Sequence, residues 1–185
     1  MFLLFGDYFG RFLIPMFRWQ IEWLATGFHI VGLEAVSVAG ALHAQLKVTP
    51  NGVLVVGGHV LYEASNLWPM TISTPIAQTF QSPLVLYCAA LAWPTNSFLA
   101  RVSLLIAASL FALILTMLDI PLILVGSVWS NLFDNFAPGT NSFLAQLPAL
   151  ISDGGRLAAC VVAVALTISF GQIPFSALLR RRDGR

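Results

Sequence analysis

The sequence predicts an all-α integral membrane protein: four transmembrane helices, an N-terminal amphipathic interfacial helix and a small β-hairpin in the first outer loop. Three observations predict it. Of 185 residues, 58% are hydrophobic and 9% charged. A soluble domain has about 45–50% and about 25%, so the apolar excess is more than a core of this size needs and must face lipid. Four apolar stretches alternate with turn-rich segments. If all four are spans, Arg11, Arg18, Arg101 and Arg180–Arg182 share one face of the membrane, which the positive-inside rule makes cytoplasmic.

Residues 1–22 read as an interfacial helix within a single membrane domain, 1–185. At 100° per residue, Phe2, Phe5, Phe9, Phe12, Met16, Trp19 and Trp23 gather on one side, with Asp7, Arg11, Arg18 and Glu22 opposite. Asp7/Arg11 and Arg18/Glu22 are spaced to pair. Pro15 predicts a bend, and Gly6-x-x-x-Gly10 is a weak match to a helix-pairing motif. This helix is expected on the cytoplasmic surface.

Residues 23–42 give the first span, about 30 Å at 1.5 Å per residue. The small residues Ser37–Ala41 resemble a signal-peptidase site, but His29 and Glu34 and the late start favour a retained helix. The outer loop 43–79 holds two short strands, Gln45–Thr49 and Val53–Val56, around Pro50-Asn51-Gly52. Past the Gly57-Gly58 break, His59–Tyr62 extends the pairing. The second span, 80–95, is interrupted by Pro83 and closes at Pro94-Thr95-Asn96; the third is 102–128. The outer loop 129–156 carries a short interfacial helix marked by Phe143, Leu144, Leu147 and Leu150, in which Pro148 fits poorly. The fourth span, 157–178, precedes the terminal arginines. Trp68, Trp93 and Trp129 stand where interface anchors belong.

Ionisable residues within spans are candidates for function. Glu34 and Asp119 fall toward the outer leaflet, and Arg156 at the outer end of the fourth span completes a candidate intramembrane polar cluster. One reading makes it a proton-transfer or head-group site; the preferred one makes it an interhelical pair that fixes packing. His29 lies about 140° from Glu34 on a helix, and His43 and His59 read as interface or loop residues. No catalytic, cofactor-binding or metal-binding residue is assigned, and no cofactor. Cys88 and Cys160 sit in apolar runs without ligand or disulfide spacing. Phosphate loops, dinucleotide fingerprints, serine elbows and zinc helices are absent from the sequence, and no basic stripe indicates nucleic acid.

Residues 44–124, from the strand pair through Ser82-Pro83-Leu84-Val85-Leu86-Tyr87 and Arg101 to Leu118-Asp119-Ile120-Pro121, resemble the core of the exosortase/archaeosortase family of membrane transpeptidases. The family places an outer strand segment before two spans joined by a short basic inner loop. The resemblance lies in layout. The family's nucleophilic cysteine would stand within Gln78-Thr79-Phe80-Gln81-Ser82, which has none, and Asp119 occupies the region of its arginine. The resemblance therefore implies a non-catalytic or divergent relative, and carries over no catalytic residue.

The favoured reading is a non-catalytic subunit or scaffold of a complex in a bacterial inner membrane, with both termini cytoplasmic and membrane lipid and other membrane proteins as partners. The alternatives are an exosortase-like enzyme acting on a lipid or secreted-protein tail, and an oligomeric transporter component.

Overall fold

Residues 23–42 do not form a membrane helix. In the computed structural model, which describes residues 2–62, 69–95, 97–140 and 142–171, they run from the end of helix α1 (Phe2–Leu24) into strands β1 (Phe28–Val38) and β2 (Ala41–Pro50). β1 and β2 pair antiparallel, and β5 (Met70–Pro75) adds to the other side of β2, giving the order β1-β2-β5. The fold is thus mixed α/β, and the all-α, four-helix expectation is corrected.

The physical reason is visible in β1. Phe28, Ile30 and Leu33 are buried while His29, Val31 and Glu34 are exposed. A strand keeps both ionisable groups on its open face; a span would bury both in lipid at a cost of several kcal/mol. A β-bulge between Ile30 and Gly32 shifts the register. It breaks the period-2 pattern and leaves an apolar run that imitates a helix. The hairpin closes through Ala39 (φ 50°) and Gly40 (φ 82°), with Val38 opposite Ala41. Two positive φ values define the tight turn whose twist matches the strands. The small residues that imitated a cleavage site therefore make this turn.

The hairpin expected around Pro50-Asn51-Gly52 is also corrected. Gln45–Thr49 belongs to β2. Strand β3 (Leu54–Val56) pairs instead with β4 (His59–Leu61) across Gly57-Gly58, again with positive φ at both turn residues. The pairing expected of His59 onward is therefore present, with β3 as its partner.

The remaining elements are a 3₁₀ turn (Ile76–Phe80), α2 (Gln81–Ala92), α3 (Phe98–Phe136), α4 (Phe143–Leu150), a π turn (Ile151–Gly155) and α5 (Arg156–Gly171). The second expected span is thus a helix of 12 residues, the third lengthens to 39, and the loop 129–156 is largely helical. Residues 172–178 of the fourth span, the terminal arginines, Trp68 and Asn96 lie outside the described residues. Two helical runs, Phe98–Phe136 and Phe143–Ser169, are long and apolar enough to cross a membrane, and only 17% of the most apolar 18-residue stretch of each is buried within the protein.

The chain divides into two units. The first comprises Met1–Thr79 and Met117–Asp153. Leu13, Phe17 and Ile21 of α1, the covered face of the sheet (Ile30, Leu33, Ala44, Leu46, Val48) and the second half of α3 (Met117, Ile120, Leu124, Val128, Leu132) share one core. Each of these side chains apart from Ala44 contributes about 1.5–3 kcal/mol when fully buried. The aromatic row that the sequence reading turned toward the membrane does not enter this core: Phe12, Met16, Trp19 and Trp23 remain exposed. In α4, Pro148 lies over Gly126 of α3, where a Cβ would come 2.7 Å from the proline ring. The proline that fits poorly in a helix thus fills the close approach of two helices.

The second unit comprises Phe80–Thr116 and Gly154–Arg185. Here α2, the first half of α3 and α5 meet through small side chains: Ala90 and Ala108 with Leu104, and Ala112 and Ala163 with Leu86. Small residues let backbones approach where lipid removes the hydrophobic drive to associate.

Candidate functional site

The three residues of the expected polar cluster stand on β1, α3 and α5. Glu34 stands on β1 opposite Gln45, exposed on the sheet face away from the core. Asp119 is on α3, 8% exposed, between Leu118 and the core residue Ile120. Arg156 opens α5 in the second unit, half-buried. Glu34 is therefore a sheet residue, separated from Asp119 by the sheet itself, because α3 contributes to the core on the covered face.

The open face of the sheet is polar. The strand register places Glu34, Gln45 and Ser73 in one row across β1, β2 and β5, and Gly32, Lys47 and Thr71 in the next. A third row holds Val36, His43 and Pro75. Side chains directly opposite on a shared face are about 5 Å apart, so this surface offers a carboxylate, an ammonium, an amide and hydroxyls side by side. His29 lies at the start of the same strand, exposed. The Nδ1 of half-buried His43 is out of solvent without a hydrogen-bond partner. Such a face suits recognition by complementary polar groups. Among the described residues, no three histidine, cysteine or acidic side chains converge as a metal site.

Beside the sheet, the β3–β4 hairpin turns Val56 and Leu61 into the core and Val55 and Val60 outward. Val53, Val55 and Val60 are 71%, 63% and 56% exposed, and Tyr62 is exposed next to them. The hairpin is seated at the C-terminal end of α3, with the His59 and Phe136 rings 5.7 Å apart. Phe28 and Trp129 meet edge to face nearby, at 5.3 Å. Trp129, expected as an interface anchor, is thus packed against the first unit's core.

In the second unit, the Arg101 guanidinium donates to the Leu91 carbonyl at 2.6 Å and the Ala90 carbonyl at 3.4 Å. Carbonyls at a helix C-terminus lack intrahelical donors, and a cation there is favoured by the helix dipole. The arginine counted for orientation is thus also the C-terminal cap of α2. Tyr87 and Ser109 hydrogen bond at 2.8 Å across α2 and α3. In the segment where the exosortase layout would place a nucleophile, the buried Thr79 hydroxyl donates to the Ile76 carbonyl, and Ser82 is buried. Cys88 is exposed on α2, and Cys160 is buried.

Sequence reading missed the polar sheet face because it assigned β1 to a helix, where Glu34 and Gln45 have no relation. The signal that finds it is the alternation in Ala44–Val48, apolar at 44, 46 and 48 and polar at 45 and 47. No protein-family model matches the chain, and neither a curated protein nor a solved structure is detectably similar to it.

Proposed function

We propose that this chain is a membrane-anchored docking subunit, a non-catalytic scaffold whose sheet and hairpin receive a partner protein outside the bilayer. The observation that carries the reading is the exposed valine surface of β3–β4 at the end of α3. At 1.5 Å per residue, α3 is about 58 Å long, roughly twice the hydrocarbon thickness. Its first half exposes Phe98, Leu99, Ile106, Leu110, Leu113 and Ile114, whereas its second half is buried beneath the sheet. The first half has the apolar, exposed surface expected of a segment in lipid. Val53, Val55, Val60 and Tyr62 form an exposed apolar patch beside the polar face of the sheet, a combination that suits a protein partner.

The same geometry revises the orientation. With 23–42 in the sheet, the crossings become α3, the run ending in α5, and the shorter segment Ile76–Ala92, about 28 Å as a 3₁₀ turn plus an α-helix. Arg101 and Arg180–Arg182 keep the cytoplasmic side. The far end of α3 and the sheet that packs on it then lie outside, and the N-terminus with them. The alternative of a divergent exosortase-like enzyme draws support from layout only: strands leading into two helices, with Arg101 in the first turn of the second.

The test combines labelling with crosslinking. Single cysteines at Arg11, Asn51 and Asn135 should react with an impermeant reagent from outside, and one at Asn96 should not. A photo-crosslinker at Val55 should give one protein adduct of defined mass in intact cells, and one at Leu110 should not. Val55→Lys with Val60→Lys should abolish the adduct and the co-purified partner without unfolding the chain. Reaction of Asn96 from outside, or a hairpin that crosslinks no protein, overturns the proposal.

A further inference from the structure

Strand β1 is an edge of the sheet. The β1–β2 hairpin closes through a two-residue turn, so the flanking pair Val38–Ala41 is hydrogen-bonded and the pairs alternate from there. Val36, Glu34 and Gly32 therefore bond β2, while the N–H and C=O groups of Leu33, Ala35 and Ser37 point away from it. Among the described residues, no backbone hydrogen bond from outside the sheet reaches these three, and no strand pairs with that side of β1. The other edge, β5, is six residues long and ends in Pro75, two features that discourage pairing. Strand β1 has neither proline nor lysine. Its bulge lies at Ile30–Gly32, which leaves Gly32–Val38 regular over about 24 Å.

We propose that the partner protein docks by adding an antiparallel strand to β1, with a lysine or arginine of that strand opposite Glu34. The inference rests on the docking reading above and names how the partner is held. Glu34 is exposed on the open face of β1, and its Oε1 leans over Gly32, 3.6 Å from the place a Cβ would take. Among the described residues it forms no ion pair, although Lys47 stands opposite Gly32. An added strand bonds Leu33, Ala35 and Ser37, which makes the position opposite Glu34 a non-hydrogen-bonded pair, where side chains approach most closely. A cation there meets the carboxylate directly. On the covered face, Leu33 is buried and Ala35 packs against the core, so the partner residues opposite these two are apolar. The register selects a different chain over a second copy. When Leu33, Ala35 and Ser37 pair among themselves across a two-fold axis, position 34 meets an even-numbered residue from 32 to 40: glycine, glutamate or valine. None is a cation, and Glu34 facing its own copy repels.

The experiment uses the full chain in detergent and, as probe, the dye-labelled, amidated peptide Val-Thr-Val-Lys-Val-Thr. Its lysine falls opposite Glu34 when its valines pair with Ser37, Ala35 and Leu33. Fluorescence anisotropy should show saturable binding, tighter than that of the same peptide with glutamate in place of lysine. Glu34→Lys should reverse that preference, each affinity changing about two- to fivefold. N-methylation of the valines, whose N–H groups face β1, should abolish binding, and N-methylation of the threonines should not. Binding indifferent to the charge at Glu34 or to which amides are methylated overturns the proposal, as does the lack of saturable binding at millimolar peptide. In intact cells, photo-crosslinkers at Ser37 and at Val55 separate this inference from the docking reading. The same heterologous adduct is expected at both. An adduct at Val55 with none at Ser37 overturns strand addition and leaves the docking reading standing. No adduct at either position overturns both. An adduct at Ser37 with the mass of a second copy overturns the heterologous strand.

Discussion

Gly57 lies so close to the backbone carbonyl of Phe136 that a Cβ at position 57 would overlap the oxygen, with the Ala137 methyl and the Phe136 carbonyl carbon also inside contact distance. Its φ of 57° is itself one that side chains rarely adopt. The turn of the β3–β4 hairpin is therefore seated on the end of α3 by a residue with no side chain.

Substitution separates the seat from the turn. Gly57→Ala should cost about 2–4 kcal/mol, from left-handed strain plus a clash with backbone that cannot rotate away. Gly58→Ala has the same backbone constraint (φ 83°) but nothing within 4 Å, and should cost about 1–2 kcal/mol. Thermal unfolding of the detergent-solubilised protein reads both. Equal losses would mean that the approach to Phe136 is not a constraint.

At the other hairpin, Ala39 holds a positive φ that suits asparagine or glycine better. Ala39→Asn should stabilise the protein by about 0.5–1 kcal/mol, whereas Gly40→Ala should destabilise it by about 1 kcal/mol. The denaturation midpoints should move in opposite directions.

Arg101 should act as a cap and not only as a charge. Arg101→Lys keeps the positive charge but replaces the weakly hydrated guanidinium, whose Nη1 donates to both carbonyls, with a strongly hydrated ammonium, and Arg101→Gln loses the charge as well. A charge-assisted hydrogen bond contributes about 1.5–3 kcal/mol, so both variants should unfold earlier, the glutamine more. A lysine variant indistinguishable from wild type would leave only the orientation role.

Phe17 and Trp19, two residues apart on α1, should respond oppositely. Phe17→Ala opens the core of the first unit and should cost about 3–5 kcal/mol. Trp19→Ala removes a ring that meets no core, and should leave stability in detergent within about 0.5 kcal/mol. Chemical denaturation followed by circular dichroism compares them.

Glu34→Gln belongs with the neutral changes, because an exposed strand carboxylate loses little when its charge is removed. A shift within about 0.5 kcal/mol is expected. A large loss would return Glu34 to a buried polar cluster.

The sequence by itself determined what local chemistry determines. Clustered leucine, isoleucine and alanine in 102–128 made a long apolar helix whatever its surroundings, and Phe143, Leu144, Leu147 and Leu150 marked α4. Asp/Arg and Arg/Glu spacing in α1 announced its charged row, and the Arg18–Glu22 pair forms as that spacing requires. Tertiary structure decided the rest. Whether 23–42 is a span or two strands depends on what covers it: with α1 and α3 on one face, alternation around a bulge is stable, and His29 and Glu34 find water instead of lipid. Which stripe of α1 turns inward was equally undecided, since both Leu13-Phe17-Ile21 and Phe12-Met16-Trp19-Trp23 are apolar. The sheet took the aliphatic-rich row, and the row with two indoles stayed outside. Apolar composition measures how much surface must leave water. It does not say whether that surface meets a sheet, a helix or a bilayer, and only long-range packing makes that choice.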